Sequence, residues 1–184
     1  RMFLVDLAGM CASAGHDHAF DRRMSLLAHQ PFATGVMPRL AAGINRYLMA
    51  VIRPPRKCLV LDLDHTLWGG VLAEDGSAGL RLGQDAVGTA YRDFQRVILA
   101  LHQRGVLLAI CSRNDESEAR AVLRDHPEMV LRPDHFAAHR IGWVDKAQSI
   151  ASIADELNIG LDSMVFLDDD PFERQNIRDR LPDV

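Results

Sequence analysis

From residue 58 onward, short apolar runs alternate with longer stretches whose apolar residues recur at helical spacing. The run 58–63 is a short apolar strand. Over 86–104, Ala90, Tyr91, Phe94, Val97, Ile98 and Leu101 share one face, the spacing of an amphipathic helix. Gly105 follows where a C-terminal glycine cap belongs. Residues 106–111 are a second apolar strand. A helix is expected over 115–125 with Asn114 as its N-cap, and another over 144–158, ending near Gly160. A third strand is expected over 164–167, and Pro171 suits the first turn of a last helix. Apolar strands alternating with helices predict a parallel sheet covered on both faces, a three-layer, doubly wound α/β fold of Rossmann-like type.

Before residue 57 the pattern is weaker. The stretch "MFLVDLAGM" starts like a strand, and 14–32 has no clear period. Pro38 opens a helix with Leu40, Ile44, Tyr47, Leu48 and Val51 on one face. "RPPRK" at 53–57 reads as a stiff, charged linker, because proline fixes φ and removes a donor. The expected organisation is a lead-in segment over 1–56 and a catalytic domain over 57–184. Both ends look cut from something longer.

In an open parallel sheet, ligands bind beyond the carboxyl ends of the strands. Asp62, Asp64 and Thr66 follow the first strand. Cys111, Ser112, Arg113 and Asn114 end the second. Lys146 opens a helix, and Asp168, Asp169 and Asp170 follow the third. Acids converging on one sheet edge repel one another unless some stay protonated or a cation joins them. Mg²⁺ suits the need, taking carboxylate oxygens, water and phosphate oxygens. Asp62, Asp64 (through its backbone carbonyl), Asp168 and Asp169 are therefore the candidate metal ligands. Ser112 and Lys146 can hold the remaining phosphate oxygens, with Thr66, Arg113 and Asn114 beside them as candidate substrate contacts. Thr66 has a plainer reading as the residue that fixes the turn. Residues i and i+2 of a strand share a face, so Asp62 can act as nucleophile and Asp64 as acid/base on one phosphorus.

Composition narrows the class. With 184 residues, 48% of them hydrophobic, the chain has material for a real core. A net charge of −4 without a long basic run gives no support for nucleic-acid or membrane-surface binding. No apolar run approaches the roughly 18–20 residues that span a bilayer, and no signal peptide is visible. Three cysteines without CxxC spacing argue for reduced thiols, a cytoplasmic setting and no zinc.

"DLDHTL", with Ser112, Lys146 and "DDD" in that order, resembles the haloacid dehalogenase superfamily of phosphotransferases. The longer words "KCLVLDLDHTLWGGVLAEDG", "CSRNDESEA", "HPEMVLRPDHFAAHRIGWVDKAQSI" and "LNIGLDSMVFLDDDPFERQNIR" are similar to its FkbH-like subfamily. That resemblance implies an enzyme of polyketide assembly. Such an enzyme takes a glyceryl unit from 1,3-bisphosphoglycerate, removes phosphate and loads the unit onto an acyl carrier protein. It also implies that a cysteine holds the glyceryl group as a thioester. Cys111, at a strand's carboxyl end near a metal and a helix start, is the candidate, with core packing as the alternative. Cys58 sits at the far end of its strand. The chain departs from the family pattern in having His65 for the usual Asn and Asp170 for the usual Asn or Ser. About twenty residues, 68–87, separate the first motif from the next helix, too few for a cap domain. An uncapped site suits a large partner such as a carrier's pantetheine arm. The same acids also fit a capless phosphatase acting on a phosphoprotein or another phosphate ester. A non-catalytic phosphate-binding module would have no need of both Asp62 and Asp64.

Overall fold

The computed structural model describes residues 5–52, 55–83 and 85–184. The chain divides into two compact units, Arg1–Pro55 and Arg56–Val184.

The described part of the first unit is helical: α1 (Leu7–Ala14), α2 (His16–Ala19), α3 (Arg22–Ala28) and α4 (Met37–Ile52). The strand-like start falls partly outside the described residues. From Leu7 the chain is helical, because the Asp6 carboxylate caps α1 by accepting from Gly9 N–H at 2.8 Å. Asp21 does the same for α3 at Met24 N–H, within a stretch whose apolar spacing gave no period. Cys11, Ala19, Val36 and Leu40 form a small core. Of the apolar stripe expected on α4, Leu40 is buried, while Ile44, Tyr47, Leu48 and Val51 are exposed.

The second unit holds strands β1 (Cys58–Leu61), β2 (Leu107–Ser112), β3 (Phe136–Ile141) and β4 (Met164–Leu167). They form one parallel sheet in the order β3-β2-β1-β4. Around it lie α5 (Leu72–Gly79), α6 (Ala86–Gln103), α7 (Glu116–Asp125), α8 (Lys146–Leu157) and α9 (Pro171–Arg180). Strand alternation sorts the core. Leu59, Leu61, Leu108 and Ile110 join Ile98 of α6 and Leu123 of α7. Val60, Ala109 and Cys111 join Ile150 and Ile153 of α8 and Ile177 of α9. The fold is therefore the expected three-layer, doubly wound α/β arrangement. Full burial of each Leu, Ile or Val among them contributes about 1.5–3 kcal/mol.

Several local expectations change. β3 was not foreseen, because its FAAHRI sequence is an edge strand in which only Ala138 is buried, so it lacks a continuous apolar run. On α6, Ala90 and Val97 face outward, and the buried positions are Gly88, Gln95 and Ile98. The N-cap of α7 is Asp115, not Asn114, since Asp115 accepts from the N–H groups of Ser117 and Glu118. Asp145 caps α8, which begins at Lys146, and Trp143 lies exposed ahead of it. In the proposed linker, Arg53 and Pro54 fall outside the described residues. Arg56 is an anchor: its Nη1 donates to the carbonyls of Asp162, Met164 and Asp183.

The strand order places the site. The chain runs β1 to β2 to β3 toward one edge, then returns to β4 on the other side of β1. The order reverses between β1 and β4, and a crevice opens at such a reversal beyond the carboxyl ends. No helix of the described residues is long and apolar enough to cross a membrane.

Candidate active site

Asp62 leaves the end of β1 with its backbone N–H still donating to Leu167 of β4 at 3.0 Å. Its carboxylate is buried. Lys146, the first residue of α8, points between β1 and β4. Its Nζ lies 3.1 Å from Asp62 Oδ2 and 2.5 Å from Asp168 Oδ2. The ammonium also stands 5.8 Å from the centre of the Phe166 ring. Asp168 Oδ1 accepts from Asp170 N–H at 2.8 Å. Burial pushes the Asp62 carboxyl above the ordinary carboxylate range, and the Lys146 charge and the Ser112 hydroxyl only partly offset it. For Lys146, burial works against the ammonium, but Asp62 and Asp168 reverse it and hold the pKa above the ordinary value.

Asp64, two residues on, stands in a different environment. Its Oδ1 accepts from Trp68 Nε1–H at 2.8 Å and Leu72 N–H at 3.1 Å. Its Oδ2 accepts from Asn114 Nδ2 at 2.9 Å. Asn114 also donates to Ser112 Oγ at 3.3 Å, which ties the two strand ends together. Between Asp64 and Thr66 the backbone turns through His65 at φ 52°. Asn tolerates this left-handed conformation and His enters it more readily than most residues, so the turn survives the exchange. Gly70, at φ 101°, carries the chain out of the following loop.

The carboxylates of Asp62, Asp168 and Asp169 each offer an oxygen, and these atoms lie within 4.8 Å of one another. Three carboxylates against one Lys146 ammonium leave a formal charge of −2, which a divalent cation balances. Asp62 Oδ1 is buried and accepts no hydrogen bond among the described residues. An orphaned buried carboxylate oxygen beside two further acids fits a hard, oxygen-seeking cation. The Asp64 side chain is not in this group, because three donors already hold it. Thr66 and Ser112 are both buried at the same edge, and Thr66 Oγ1 has no partner among the described residues.

Cys111 does not have the environment expected of it. It lies on the α8 face of β2 in the apolar core, and its thiol donates to the Lys146 carbonyl at 3.8 Å. Burial pushes its pKa up to about 12, outweighing the Lys146 charge. The thiolate expected near a metal is therefore not favoured, because the side chain points behind the site into the apolar layer.

Sequence reasoning passed over three contributors. Trp68 is a hydrogen-bond donor to Asp64. Gln95 is fully buried, donates to Leu67 O at 2.7 Å and accepts from Val130 and Leu131 N–H. It fixes the loop that carries Thr66 and Trp68. Its signal was a lone amide within an apolar face. Glu173 is buried and paired with Arg113 at 2.6 Å, although a glutamate three residues past a cap reads as an ordinary helix-start charge.

No family model and no curated protein matches the chain. Among solved structures, it is similar to the N-terminal part of the protein BF1531 from Bacteroides fragilis, containing a phosphatase domain and complexed with Mg. The two share 38% sequence identity at a TM-score of 0.85. The match covers 99% of this chain and 49% of that one, so the chain spans about half the length of the protein it resembles. At this identity and coverage the α/β sheet described above is the fold of that phosphatase-containing part.

Proposed function

We propose that the chain is a Mg²⁺-dependent phosphatase of the haloacid dehalogenase type. The observation that carries this reading is the buried Asp62 oxygen, which accepts no hydrogen bond among the described residues, beside Lys146, Asp168 and Asp169 at the reversal of strand order. The likeness to a Mg-complexed phosphatase domain supports it. Asp62, Asp168 and Asp169 would hold Mg²⁺, which when bound supplies positive charge to phosphoryl oxygens. Asp62 attacks phosphorus, forming an aspartyl phosphate as the ester oxygen departs. Asp64 gives that oxygen a proton, then takes one from the water that splits the aspartyl phosphate. Lys146 and Ser112 orient the phosphoryl group, and Asn114 keeps Ser112 and Asp64 in register. Phosphate release from an aryl phosphate tests this. Activity is expected with Mg²⁺ and is expected to vanish with a chelator, whereas turnover indifferent to chelation would contradict the reading.

A finer reading extends it: removal of phosphate from a glyceryl group taken from 1,3-bisphosphoglycerate, with loading onto an acyl carrier protein. Besides the sequence resemblance, the open approach favours it. Among the described residues, α5 and α6 alone lie between β1 and β2, and α7 and a short 3₁₀ turn between β2 and β3. The buried Cys111 makes the carrier's own thiol the simpler acyl acceptor. Intact-mass measurement of a carrier protein incubated with the enzyme and 1,3-bisphosphoglycerate reads the transfer. An unchanged carrier would leave the phosphatase reading alone standing.

A further inference from the structure

Residues 126–135 carry the chain from the end of α7 to β3, and side chains hold most of their backbone. Five consecutive N–H groups run from Glu128 to Arg132. Among the described residues, Met129 alone of these donates to a backbone carbonyl, His126 O at 3.2 Å. Glu128 N–H donates to His126 Nδ1 at 3.3 Å, and Arg132 N–H to His135 Nδ1 at 3.0 Å. Val130 and Leu131 N–H both donate to Gln95 Oε1. A neutral imidazole has one acceptor nitrogen, and a protonated one has none. Two of the five N–H groups therefore have acceptors only while His126 and His135 are neutral. Burial pushes both imidazoles below the ordinary 6.5. Around His126, Glu128 opposes that shift and Arg132 adds to it. Around His135, His102 of α6, with its ring centre 5.5 Å away, and Arg132 add to it, and Asp134 opposes it. The other charged neighbours are paired among themselves. Glu128 meets Arg92 of α6 at 2.6 Å, Asp125 meets Arg124 at 2.8 Å, and Arg120, which lines a cavity with Asp134, meets Glu116 at 2.9 Å.

This connection reaches the candidate site through Gln95. The amide that accepts from Val130 and Leu131 donates to Leu67 O at 2.7 Å, between Thr66 and Trp68. Trp68 in turn donates to Asp64. Met129 and Leu131 are buried in the same core as Leu67 and Trp68. We infer that residues 126–135 are an acid-sensitive strap: protonation of His126 and His135 frees the Glu128 and Arg132 N–H groups, loosens the grip of Val130 and Leu131 on Gln95, and lets the Thr66–Trp68 loop shift under Asp64. This rests on the phosphatase reading and adds a regulation of that site, activity withdrawn at mildly acid pH. His126 and His135 are positioning residues that act through Gln95. Their folded values lie below the unfolded 6.5, so their contribution is whole above 6.5 and is lost as pH falls through the folded values.

The test compares the native strap with His126→Asn/His135→Asn, in which an amide oxygen accepts in place of each Nδ1 and does not titrate. Both are made in the full chain carrying Trp143→Phe, which leaves Trp68 as the one tryptophan. Three quantities are followed with Mg²⁺ from about pH 7.5 to about pH 5, the range in which imidazoles titrate: the urea midpoint, Trp68 emission and turnover of an aryl phosphate. With the native strap, the midpoint is expected to fall and Trp68 emission to move to longer wavelength as pH drops. The double variant is expected to show less than half of either change. The native strap should also lose about fivefold more kcat over this range than the double variant, the equivalent of one hydrogen bond of about 1 kcal/mol. Should the double variant fail to fold, each single variant is expected to remove part of both changes. A double variant that follows the native strap in midpoint and emission overturns the inference and leaves the phosphatase reading standing. A difference in midpoint with none in Trp68 emission does the same, because the strap then titrates without moving the loop. Absence of turnover at every pH overturns the phosphatase reading and the regulation with it.

Discussion

Asp62 and Asp64 are the same residue type two positions apart, yet they stand in opposite surroundings. Asp62 sits at the tip of a buried strand, paired with the Lys146 ammonium and facing two further acids, with one oxygen that accepts no hydrogen bond among the described residues. Asp64 sits in the turn beyond, part-buried, with both oxygens held by uncharged N–H donors from Trp68, Leu72 and Asn114. In the proposed mechanism the first faces cations and phosphorus, and the second, on its hydrogen-bonded mount, serves as the acid/base. On that reading, partners rather than residue type divide the labour.

Removing the carboxylates probes this division most strongly. Asp62→Asn is expected to abolish phosphate release, measured with an aryl phosphate and Mg²⁺. Asp64→Asn is expected to slow it by about 10²–10⁴, the usual worth of acid/base help. Equal losses in the two variants would erase the contrast.

Gln95→Leu comes next, because it attacks the mount of Asp64 from below. It strips partners from Leu67 O and from the Val130 and Leu131 N–H groups. Unsatisfied buried polar groups cost about 1–3 kcal/mol each, so a loss of about 3 kcal/mol or more is expected in urea unfolding. A smaller effect is expected from Trp68→Phe, which keeps the packing and removes one of the three donors to Asp64. A loss of about 1 kcal/mol corresponds to roughly a fivefold fall in kcat, with Mg²⁺ affinity unchanged because the Asp64 side chain lies outside the carboxylate group.

Alkaline pH sharpens the other side of the contrast. The folded Lys146 pKa lies above its ordinary 10.5, so its contribution is whole below that value and is lost as pH rises through the folded value. Cys111 and Cys58 act in the same sense. Burial pushes them up to about 12 and about 11 from an ordinary 9.0, so above 9.0 the unfolded chain sheds thiol protons that the folded chain keeps. The urea midpoint is therefore expected to fall between about pH 8 and about pH 11, and native Cys111 to resist alkylation at the lower value.

The layered sheet and the positions of the acids were legible because they depend on local pattern: apolar strands that stop at Asp62, Ser112 and Asp168. β3 was not, because an edge strand buried on one position carries no apolar run. The stripe on α4 was read correctly as periodic, but periodicity does not say whether a face is covered. Cys111 shows a further limit. Its position at a strand end was plain, but which face it takes depends on the alternation that puts Ser112 at the site and the thiol in the α8 layer. Trp68 and Leu72, two of the partners of Asp64, follow a loop that Gln95 holds from far along the sequence.

The most direct test of the central claim is intact-mass analysis of the protein quenched in acid during turnover of a phosphate monoester with Mg²⁺. The expected result is one added phosphoryl group that maps to Asp62, is absent from Asp62→Asn and accumulates in Asp64→Asn, where its hydrolysis is slowed. A phosphoryl group on any other residue, or sustained turnover by Asp62→Asn, would contradict it.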